Sequence, residues 1–434
     1  MQLSFAPVVA RTAPAVVNVY ALKTVQRTTP FMDDPFFQRF FGGSPGLAGP
    51  QRLQRSLGSG VIVDPSGLVV TNHHVIAGAD EIRVALADKR EFEAEVILSD
   101  ARTDLAVLRL KADKTQFANI ALGNSDDLAV GDLVLAIGDP FGVGQTVTHG
   151  IVSALARTQV GVADYQFFIQ TDAAINPGNS GGALVDMHGR LIGLNTAIYS
   201  RSGGSLGIGF AIPANMVRVV VESAKAGSPV VRRPWFGARL QAVTPEIADG
   251  LGLARPTGAL VQTVTASSPA DKAGLKVGDL IVAIDGQVVE DPQAFNYRFA
   301  TQPIGGKSVL NAQRGGREVK IEVALAPAPE SVPREEILVR GASPFAGVKA
   351  VNISPAVAEE LQLTVDEGGV VVSEVMDNSP AAAAGFKPGD VIAQVNGVTM
   401  SRTGDLERIS RAPQRGWQVT VLRDGRAISA LFPG

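Results

Sequence analysis

The chain has 434 residues, of which 45% are hydrophobic and 19% charged, and its formal net charge is −3. Such a length exceeds what one hydrophobic core usually organises, so two or three domains are expected. The small negative charge argues against nucleic-acid binding, and the absence of cysteine excludes disulfides, thiolate catalysis and cysteine-based metal sites.

No signal peptide is predicted from the first residues of this sequence. Residues 1–5 lack the basic and apolar regions of a signal peptide, so a cytosolic protein and one whose leader has been removed both fit this sequence. No apolar run continues for about 18 residues without glycine, proline or a charge, which predicts no membrane span. Membrane contact is therefore expected to be absent or peripheral.

Short β-rich segments follow along the first half of the chain. The 47 glycines and 26 prolines fit a chain with many turns. Because these strands do not alternate with helices, barrels or sandwiches are favoured over a parallel sheet. The phenylalanine-rich segment 28–55 predicts either a loop folded back on its own domain or an oligomer contact. The predicted strands cover residues 60–63, 94–98, 105–110, 133–137 and 190–194.

The four histidines are the candidates for a general base near neutral pH. His188 lies in a predicted hairpin turn and is expected to be solvated. His149 follows a threonine-rich strand and is expected to be packed or exposed rather than reactive. His73 and His74 stand at the end of an apolar strand, and the residues alone do not choose between them.

An aspartate at the start of an alternating strand is the candidate partner for this histidine pair. Asp104 directly precedes the apolar strand 105–110, where its carboxylate is expected to accept the second ring N–H of the histidine, fix the tautomer and stabilise the imidazolium. Asp100 is the competitor, and its surroundings are typical of a turn.

A serine flanked by small residues supplies the candidate nucleophile. Ser180 lies between Asn179 and Gly181 and is followed by an apolar strand. The backbone amides of Gly178 and Ser180 are free to converge on one point, as an oxyanion hole requires. An ordinary glycine-rich turn is the alternative, and the His and Asp candidates favour catalysis. The predicted oxyanion hole comprises Gly178, Asn179 and Ser180.

An internal repeat marks the second half of the chain. Residues 268–281 recur as residues 379–392, with Ser-Pro-Ala at the start and Gly-Asp before an apolar strand. Each copy continues into Asp285-Gly286 or Asn396-Gly397, a strong hairpin signal because both turn positions need positive φ. The spacing is that of a duplicated domain. Proline-rich connectors are predicted at 225–234 and 326–334, and domains at 1–225, 235–327 and 342–434.

Three motifs together resemble the HtrA (Deg) family of serine proteases. They are Thr71–Val75, Thr103–Leu108 and Gly178–Leu184, in the order His, Asp, Ser that chymotrypsin also has. The two repeats resemble the PDZ domains of members with two such domains, so the likeness covers nearly the whole chain. The resemblance implies a mainly β fold, with a chymotrypsin-like double β-barrel followed by two α+β PDZ domains. It also selects His74, which directly precedes valine, over His73.

The resemblance implies a substrate-binding region in the second half of the protease domain. The segment 195–200 resembles the strand that pairs with the substrate backbone, and the glycine-rich 202–209 resembles an adjoining mobile loop or a plain hairpin. A small apolar pocket there would favour cleavage after Val, Ala or similar residues. The implied substrate-binding residues are Ile175, Thr196, Ala197, Ile198, Tyr199 and Ser200.

Each PDZ-like copy has an extended segment that resembles a carboxylate-binding loop. Its backbone N–H groups would grip a peptide C-terminus while the peptide adds a strand to the sheet. The alternative is that these residues belong to the domain core, and the second copy is the weaker candidate. The implied peptide-binding residues are Trp235, Phe236, Gly237 and Ala238 in the first copy and Phe345, Ala346, Gly347 and Val348 in the second.

By this resemblance the chain is expected to be a periplasmic, ATP-independent endopeptidase that degrades unfolded or misfolded polypeptides. A trimer-based homo-oligomer is implied, and neither a cofactor nor a metal is expected. A holdase chaperone or scaffold with little proteolysis is the main alternative, and some relatives do both. An esterase is disfavoured by the chain order and by the peptide-binding modules.

Overall fold

A computed structural model describes most of the chain and confirms the mainly β architecture. The segment 28–52 lies outside the described residues, so the two interpretations of the phenylalanine-rich loop stay predictions. Within the described part, no helix has the length and apolar character that crossing a bilayer requires. The described residues are 4–24, 53–112, 115–139, 144–157, 167–176, 178–198, 207–228 and 230–433, apart from 362, 364, 366, 367 and 424.

The first barrel closes in the strand order β1-β2-β3-β6-β5-β4. Its strands are rich in Val, Ile and Leu, and inward side chains such as Val69 and Leu108 are fully buried. The N-terminal helix α1 precedes it, and the short helix α2 follows β3. These elements are α1 (Ala6–Thr12), β1 (Val16–Thr24), β2 (Leu53–Asp64), β3 (Leu68–Thr71), α2 (His73–Ile76), β4 (Glu81–Ala85), β5 (Glu91–Asp100) and β6 (Leu105–Leu110).

The second barrel closes in the order β10-β11-β12-β9-β8-β7 and ends in helix α3. This helix buries a stripe that includes Met216, Val220 and Ala224, the i, i+4, i+8 spacing of one helical face. Lys225 at its end lies 3.0 Å from Asp64 on β2, so α3 also reaches the first barrel. The elements are β7 (Leu133–Gly138), β8 (Thr146–Arg157), β9 (Phe168–Thr171), β10 (Ala183–Val185), β11 (Leu191–Ile198), β12 (Gly209–Pro213) and α3 (Ala214–Lys225).

The first PDZ-like copy forms a sheet in the order β13-β14-β15-β17-β18, with β16 paired to β15. Proline opens each of its helices, where a missing N–H costs nothing. The elements are β13 (Ala238–Ala242), α4 (Pro245–Leu251), β14 (Ala259–Val264), α5 (Pro269–Lys272), β15 (Leu280–Ile284), β16 (Gln287–Val288), α6 (Pro292–Ala300), β17 (Lys307–Arg314) and β18 (Arg317–Ala324).

The second copy forms a sheet in the order β19-β20-β21-β22-β24-β25, with β23 paired to β22. It therefore has one strand more than the first, the short β19 that precedes the repeat. The elements are β19 (Ile337–Leu338), β20 (Val348–Asn352), α7 (Pro355–Glu360), β21 (Val370–Val375), α8 (Pro380–Ala383), β22 (Val391–Val395), β23 (Val398–Thr399), α9 (Thr403–Arg411), β24 (Gly416–Arg423) and β25 (Arg426–Pro433).

The two predicted tight turns are confirmed. Asp285 and Gly286 have φ of 49° and 79° and join β15 to β16, while Asn396 and Gly397 have φ of 50° and 78° and join β22 to β23. Only residues that tolerate the left-handed region fit both turn positions. Each copy of the repeat therefore contains the two residues that its hairpin turn requires.

The repeated Gly-Asp also has a structural role in each copy. Asp390 is 1% exposed, accepts the amide of Lys387 at 2.9 Å and forms two hydrogen bonds of 2.6 Å with the guanidinium of Arg423. Asp279 does the same with the amide of Lys276 and with Arg314. This clamp ties the loop before β22 or β15 to the end of the neighbouring strand in the same sheet, β24 or β17.

Candidate active site

Loops from both barrels form the candidate site. The first of these is the turn between β5 and β6. Asp104 ends this turn with a φ of 55°, a left-handed conformation that Asp tolerates better than most residues. Its carbonyl accepts from the amide of His73 at 3.1 Å and from the side-chain amide of Asn72 at 2.9 Å. The turn is thereby fixed to the start of α2.

The Asp104 carboxylate holds the ring of His74. Nδ1 of His74 lies 2.9 and 2.8 Å from the two carboxylate oxygens, and the His74 amide donates to Oδ1 at 3.0 Å. Thr196 on β11 donates its hydroxyl to Oδ2 at 2.8 Å. Burial opposes ionisation of Asp104, but the charge of His74 and these donors hold the pKa of the carboxyl below its ordinary value. The contacts through Nδ1 and the backbone amide therefore fix the orientation of the His74 ring.

Ser180 is joined to the same cluster through Thr196. Its hydroxyl donates to the carbonyl of Thr196 at 3.0 Å, and the side chain is half-buried. Thr196 is fully buried, so this one residue contacts both Ser180 and Asp104. Sequence reasoning assigned Thr196 to the substrate strand and missed the contact of its hydroxyl with Asp104. A β-branched hydroxyl at the end of an apolar strand was the available signal.

The loop before Ser180 presents backbone amides. Gly178 has a φ of 96°, and the amides of Gly178 and Ser180 have no acceptor among the residues that the structure describes. The amide of Asn179 differs, because it donates to the carbonyl of Asn176 at 2.9 Å. Two of the three predicted oxyanion-hole amides are thus available for a ligand oxygen.

Ser59 on β2 fixes this loop and was also missed by sequence reasoning. Its hydroxyl donates to the carbonyl of Gly178 at 2.6 Å, and its amide donates to the carbonyl of Ser180 at 2.8 Å. A Cβ on the neighbouring Gly58 or Gly60 would meet Val75 or Val69 within 2.7 Å. The Gly-Ser-Gly spacing was therefore a readable sign of close packing of β2 against β3 and α2.

The predicted substrate-binding residues are only partly described. Ile175 is 1% exposed in the core of the second barrel, and a Cβ on Gly209 would lie 2.8 Å from it. Ala197 and Ile198 belong to β11, but their side chains are outside the described set. Tyr199 and Ser200 lie outside the described residues altogether. The apolar pocket stays a prediction.

Asp100 is more than the turn residue that its sequence surroundings predict. It is 8% exposed, accepts the Thr103 hydroxyl at 2.6 Å and forms an ion pair with the buried Arg233 of the connector after α3. Because burial makes an unpaired carboxylate costly, the arginine is the partner that this position needs. Asp100 supports the turn that carries Asp104.

The side chains of the other three histidines have different surroundings. His73 pairs through Nδ1 with the Ser99 hydroxyl at 2.7 Å, and burial lowers its pKa. His149 lies against the ring of Phe5 with centroids 5.4 Å apart, and His188 is 80% exposed in the turn between β10 and β11. Within the described ranges, no group of three His, Asp or Glu side chains is arranged to hold a metal ion.

The predicted carboxylate-binding loops share one packing feature. Gly237 and Gly347 have φ of 73° and 96°, and a Cβ on either would lie 2.2 or 2.3 Å from the Cβ of Ser268 or Ser379, the first residue of each repeat. Both loops therefore require glycine. Phe345 of the second loop is fully buried against Trp417 and Phe386, so its side chain belongs to the core. In the first copy Trp235 is half-buried and Phe236 is 8% exposed. Ala238 begins β13, and Val348 likewise begins β20 after Ala346 and Gly347.

Comparison with known proteins agrees with this geometry. Residues 58–194 match the family described as trypsin-like peptidase domain, and residues 204–325 and 347–430 match the PDZ domain family. A probable periplasmic serine endoprotease, DegP-like, from Pseudomonas fulva is 39% identical over 451 residues, covering 99% of this chain and 93% of that protein. A protein of the same description from Chlamydia trachomatis is 41% identical over 381 residues, 87% of this chain and 75% of its own. The solved structure of the HtrA-type protease AlgW with a decapeptide is 46% identical, with a TM-score of 0.55, covering 75% of this chain and 99% of that one.

Proposed function

Since the chain belongs to the HtrA family of serine endoproteases, we propose that it cleaves unfolded or damaged polypeptides without ATP, with Ser180, His74 and Asp104 as its catalytic residues. The chain is a serine endopeptidase. The observation that supports these three residue roles is the buried carboxylate of Asp104, which binds Nδ1 of His74 while Thr196 links it to Ser180.

The proposed reaction begins with a rotation of the Ser180 side chain from the Thr196 carbonyl to Nε2 of His74. Ser180 Oγ then attacks the scissile carbonyl carbon while His74 accepts its proton. The oxygen of the tetrahedral intermediate accepts from the amides of Gly178 and Ser180. His74 gives the proton to the leaving amine as the C–N bond breaks, and water attacks the acyl-enzyme by the same steps.

Asp104 acts in this mechanism as an anion that does not itself take the proton. Its lowered pKa keeps it ionised at neutral pH, so it stabilises the imidazolium that forms during the attack. The two contacts with His74, through ring and backbone, keep Nε2 directed away from the carboxylate. The hydroxyl of Thr196 donates to Oδ2 of the Asp104 carboxylate and restrains that oxygen.

The first PDZ-like copy is proposed to tether a substrate chain end. Within the described residues β13 has β14 as its one partner strand, so its other edge is open to an extended peptide. The amide of Gly237 has no acceptor among the described residues and is placed to bind a terminal carboxylate. Tethering would raise the effective concentration of the chain at Ser180, to about millimolar for a short flexible link.

The remaining features of the proposal follow the family. We place the protein in the periplasm because the relatives from Pseudomonas fulva and Chlamydia trachomatis are described as periplasmic. We also propose a trimer-based homo-oligomer, and domains that follow the limits 1–225, 235–327 and 342–434. A holdase chaperone with little proteolysis is the competing function, since an open sheet edge binds clients without cutting them.

Casein digestion by purified variants tests the proposal. Ser180→Ala and His74→Ala are expected to lose digestion in the absence of ATP, while the matched control His73→Ala keeps it because His73 contacts Ser99 instead. Equal loss in both histidine variants would refute the assignment of His74. Unchanged suppression of client aggregation by Ser180→Ala would establish a separate holdase activity.

A further inference from the structure

The two PDZ-like copies differ at one sheet edge. In the first copy β13 is the last strand of its sheet within the described residues, whereas in the second the corresponding β20 is covered by β19. The pairing is antiparallel, with Ile337 opposite Ala350 and Leu338 opposite Lys349. The strand β19 lies in the segment 326–341, which extends the predicted connector 326–334 up to the second copy and is called the connector in this subsection. This edge is where a PDZ domain receives a peptide.

The connector makes backbone hydrogen bonds along the whole edge. The Arg334 carbonyl accepts from the amide of Asn352 at 2.8 Å, and the Val339 amide donates to the carbonyl of Val348 at 2.9 Å. At the end of this segment the Val339 carbonyl accepts from the amide of Gly347 at 2.9 Å. An internal carbonyl thus takes the place at which a carboxylate-binding loop would hold a peptide terminus.

Side chains of the connector fill the space beside β20. Val339 is 3% exposed and Ile337 is partly buried, and both lie in the apolar cluster that contains Phe345 and residues Leu406 and Ile409 of α9. The amide at the start of α9, that of Thr403, donates to Asn352 Oδ1 on β20 and joins the helix to this strand. The cluster therefore spans the strand, the helix and the connector between them.

Polar contacts hold the N-terminal part of the connector. The side-chain amide of Asn352 donates to the carbonyl of Pro333 at 2.9 Å, and Arg334 pairs with Glu360 at the end of α7. The remaining loop amides of the second copy are also occupied, since Ala346 donates to Ser343 and Val348 to Phe345. By contrast, the first-copy equivalent of Gly347, Gly237, has no acceptor in the described part of the chain.

We propose that residues 334–339 are an intramolecular ligand of the second PDZ-like domain, bound in its peptide groove with Val339 in the place of a terminal residue. The first copy then offers the open groove, and a second peptide binds only by displacing the connector. Because the connector is covalently attached at an effective concentration of about millimolar, a free peptide of equal intrinsic affinity must reach that range to compete. The inference relies on the proposed peptide-binding role of the two sheet edges but not on proteolysis.

The number of peptides bound per full-length chain tests the proposal of an intramolecular ligand. The probe is a synthetic peptide with the sequence of residues 330–339 and a free carboxylate, titrated calorimetrically at micromolar concentration into the Ser180→Ala protein. Replacing Ile337→Ser and Val339→Ser together is expected to raise the number of bound peptides by one per chain. Leu338→Ser is the matched control, because Leu338 lies outside the apolar cluster, and it should leave the number unchanged. No rise in the double variant would refute the proposal.

The same titration separates this proposal from tethering by the first copy. A native-connector protein that binds no peptide would refute the tether, while a rise from zero to one in the double variant would still support the intramolecular ligand. Folding of the second domain is followed through Trp417, which is 3% exposed, after Trp235→Phe removes the other tryptophan.

A disulfide between the connector and β20 gives a second test, in which Ile337 and Val339 keep their native side chains. Leu338→Cys and Lys349→Cys place thiols on directly paired residues, whose Cα separation of about 4.5–5.5 Å suits a disulfide. The chain has no other cysteine. At millimolar peptide the reduced protein is expected to bind one peptide more than the oxidised protein. Equal binding by the two forms would refute displacement of the connector.

Discussion

At the scale of single residues, the candidate site depends on a carboxylate that is almost entirely removed from water. Burial alone would favour the neutral form of Asp104. Donors from the amide and ring of His74 and from the Thr196 hydroxyl reverse that preference and lower its pKa. The ionised form therefore persists to pH values below the ordinary range. Removing any one of these donors is expected to weaken the contact between the Asp104 carboxylate and the His74 ring without unfolding the protein.

Thr196→Val tests this balance without changing the volume of the side chain. Losing a hydrogen bond to a charged group costs roughly 1.5–3 kcal/mol, so kcat is expected to fall about 10- to 100-fold while KM changes little. Thr196→Ser keeps the hydroxyl and should retain most of the activity. Steady-state cleavage of a chromogenic peptide measures both variants. A valine variant with the parental kcat would show that the Thr196 hydroxyl does not act through Asp104.

A second carboxylate gives a prediction about pH and stability. Burial raises the pKa of Asp126 above 3.8, although Arg298, 3.9 Å away, opposes the shift. A raised folded-state pKa means that the ionised form costs stability above that pKa and nothing below the unfolded value. Asp126→Asn should therefore raise the urea midpoint at pH 7, and the gain should shrink as pH falls toward 3.8. A gain that grows on acidification would contradict this assignment.

The sequence identified the catalytic candidates because each stands beside an apolar strand with a distinct local pattern. His74, Asp104 and Ser180 all lie at strand or loop boundaries where the pattern placed them. The partners of the Ser59 and Thr196 hydroxyls could not be assigned, because they are a loop carbonyl and a turn carboxylate that lie far away in the sequence. The local pattern marks each position as packed but does not identify the distant segment that it contacts.

At the scale of elements, alternation of apolar residues predicted the long strands, while short pairing strands were missed. All five predicted barrel strands are covered or overlapped by β2, β5, β6, β7 and β11. The connector 326–334 was predicted from its proline and glutamate content, but the adjoining strand β19 has two residues and exists through its pairing with β20. A strand this short has no periodicity to read.

The two Asp–Arg clamps permit a matched prediction. Asp390→Asn removes the charge that binds Arg423 and should destabilise the second sheet by roughly 1.5–3 kcal/mol. Trp417 lies in that sheet, so its fluorescence in urea, in a Trp235→Phe background, reports the change. Asp279→Asn makes the same replacement in the first sheet and should leave the Trp417 transition where it was. Equal shifts in both variants would show that the sheets do not unfold independently.

At the scale of the whole molecule, the first PDZ-like copy is joined to the protease domain by side-chain contacts as well as by the chain. The rings of Phe167 and Tyr297 are stacked with centroids 3.9 Å apart, and Arg298 lies over the same phenylalanine. Tyr297 on α6 is fully buried with residues of the barrels. The sequence does not predict these contacts. Taken alone, the apolar side chains of α6 indicate a helix that packs on the sheet of its own domain.

The buried pair of Asp100 and Arg233 gives the last prediction. Arg233→Met leaves a buried carboxylate without its charge partner, which should cost about 3–5 kcal/mol and lower kcat, since Asp100 also binds Thr103 in the turn that ends at Asp104. Adding Asp100→Asn removes the stranded charge and should restore most of both quantities. Urea unfolding and peptide cleavage of the two single variants and the double variant form a complete cycle. Additive losses would mean that the connector arginine and the active-site turn act independently.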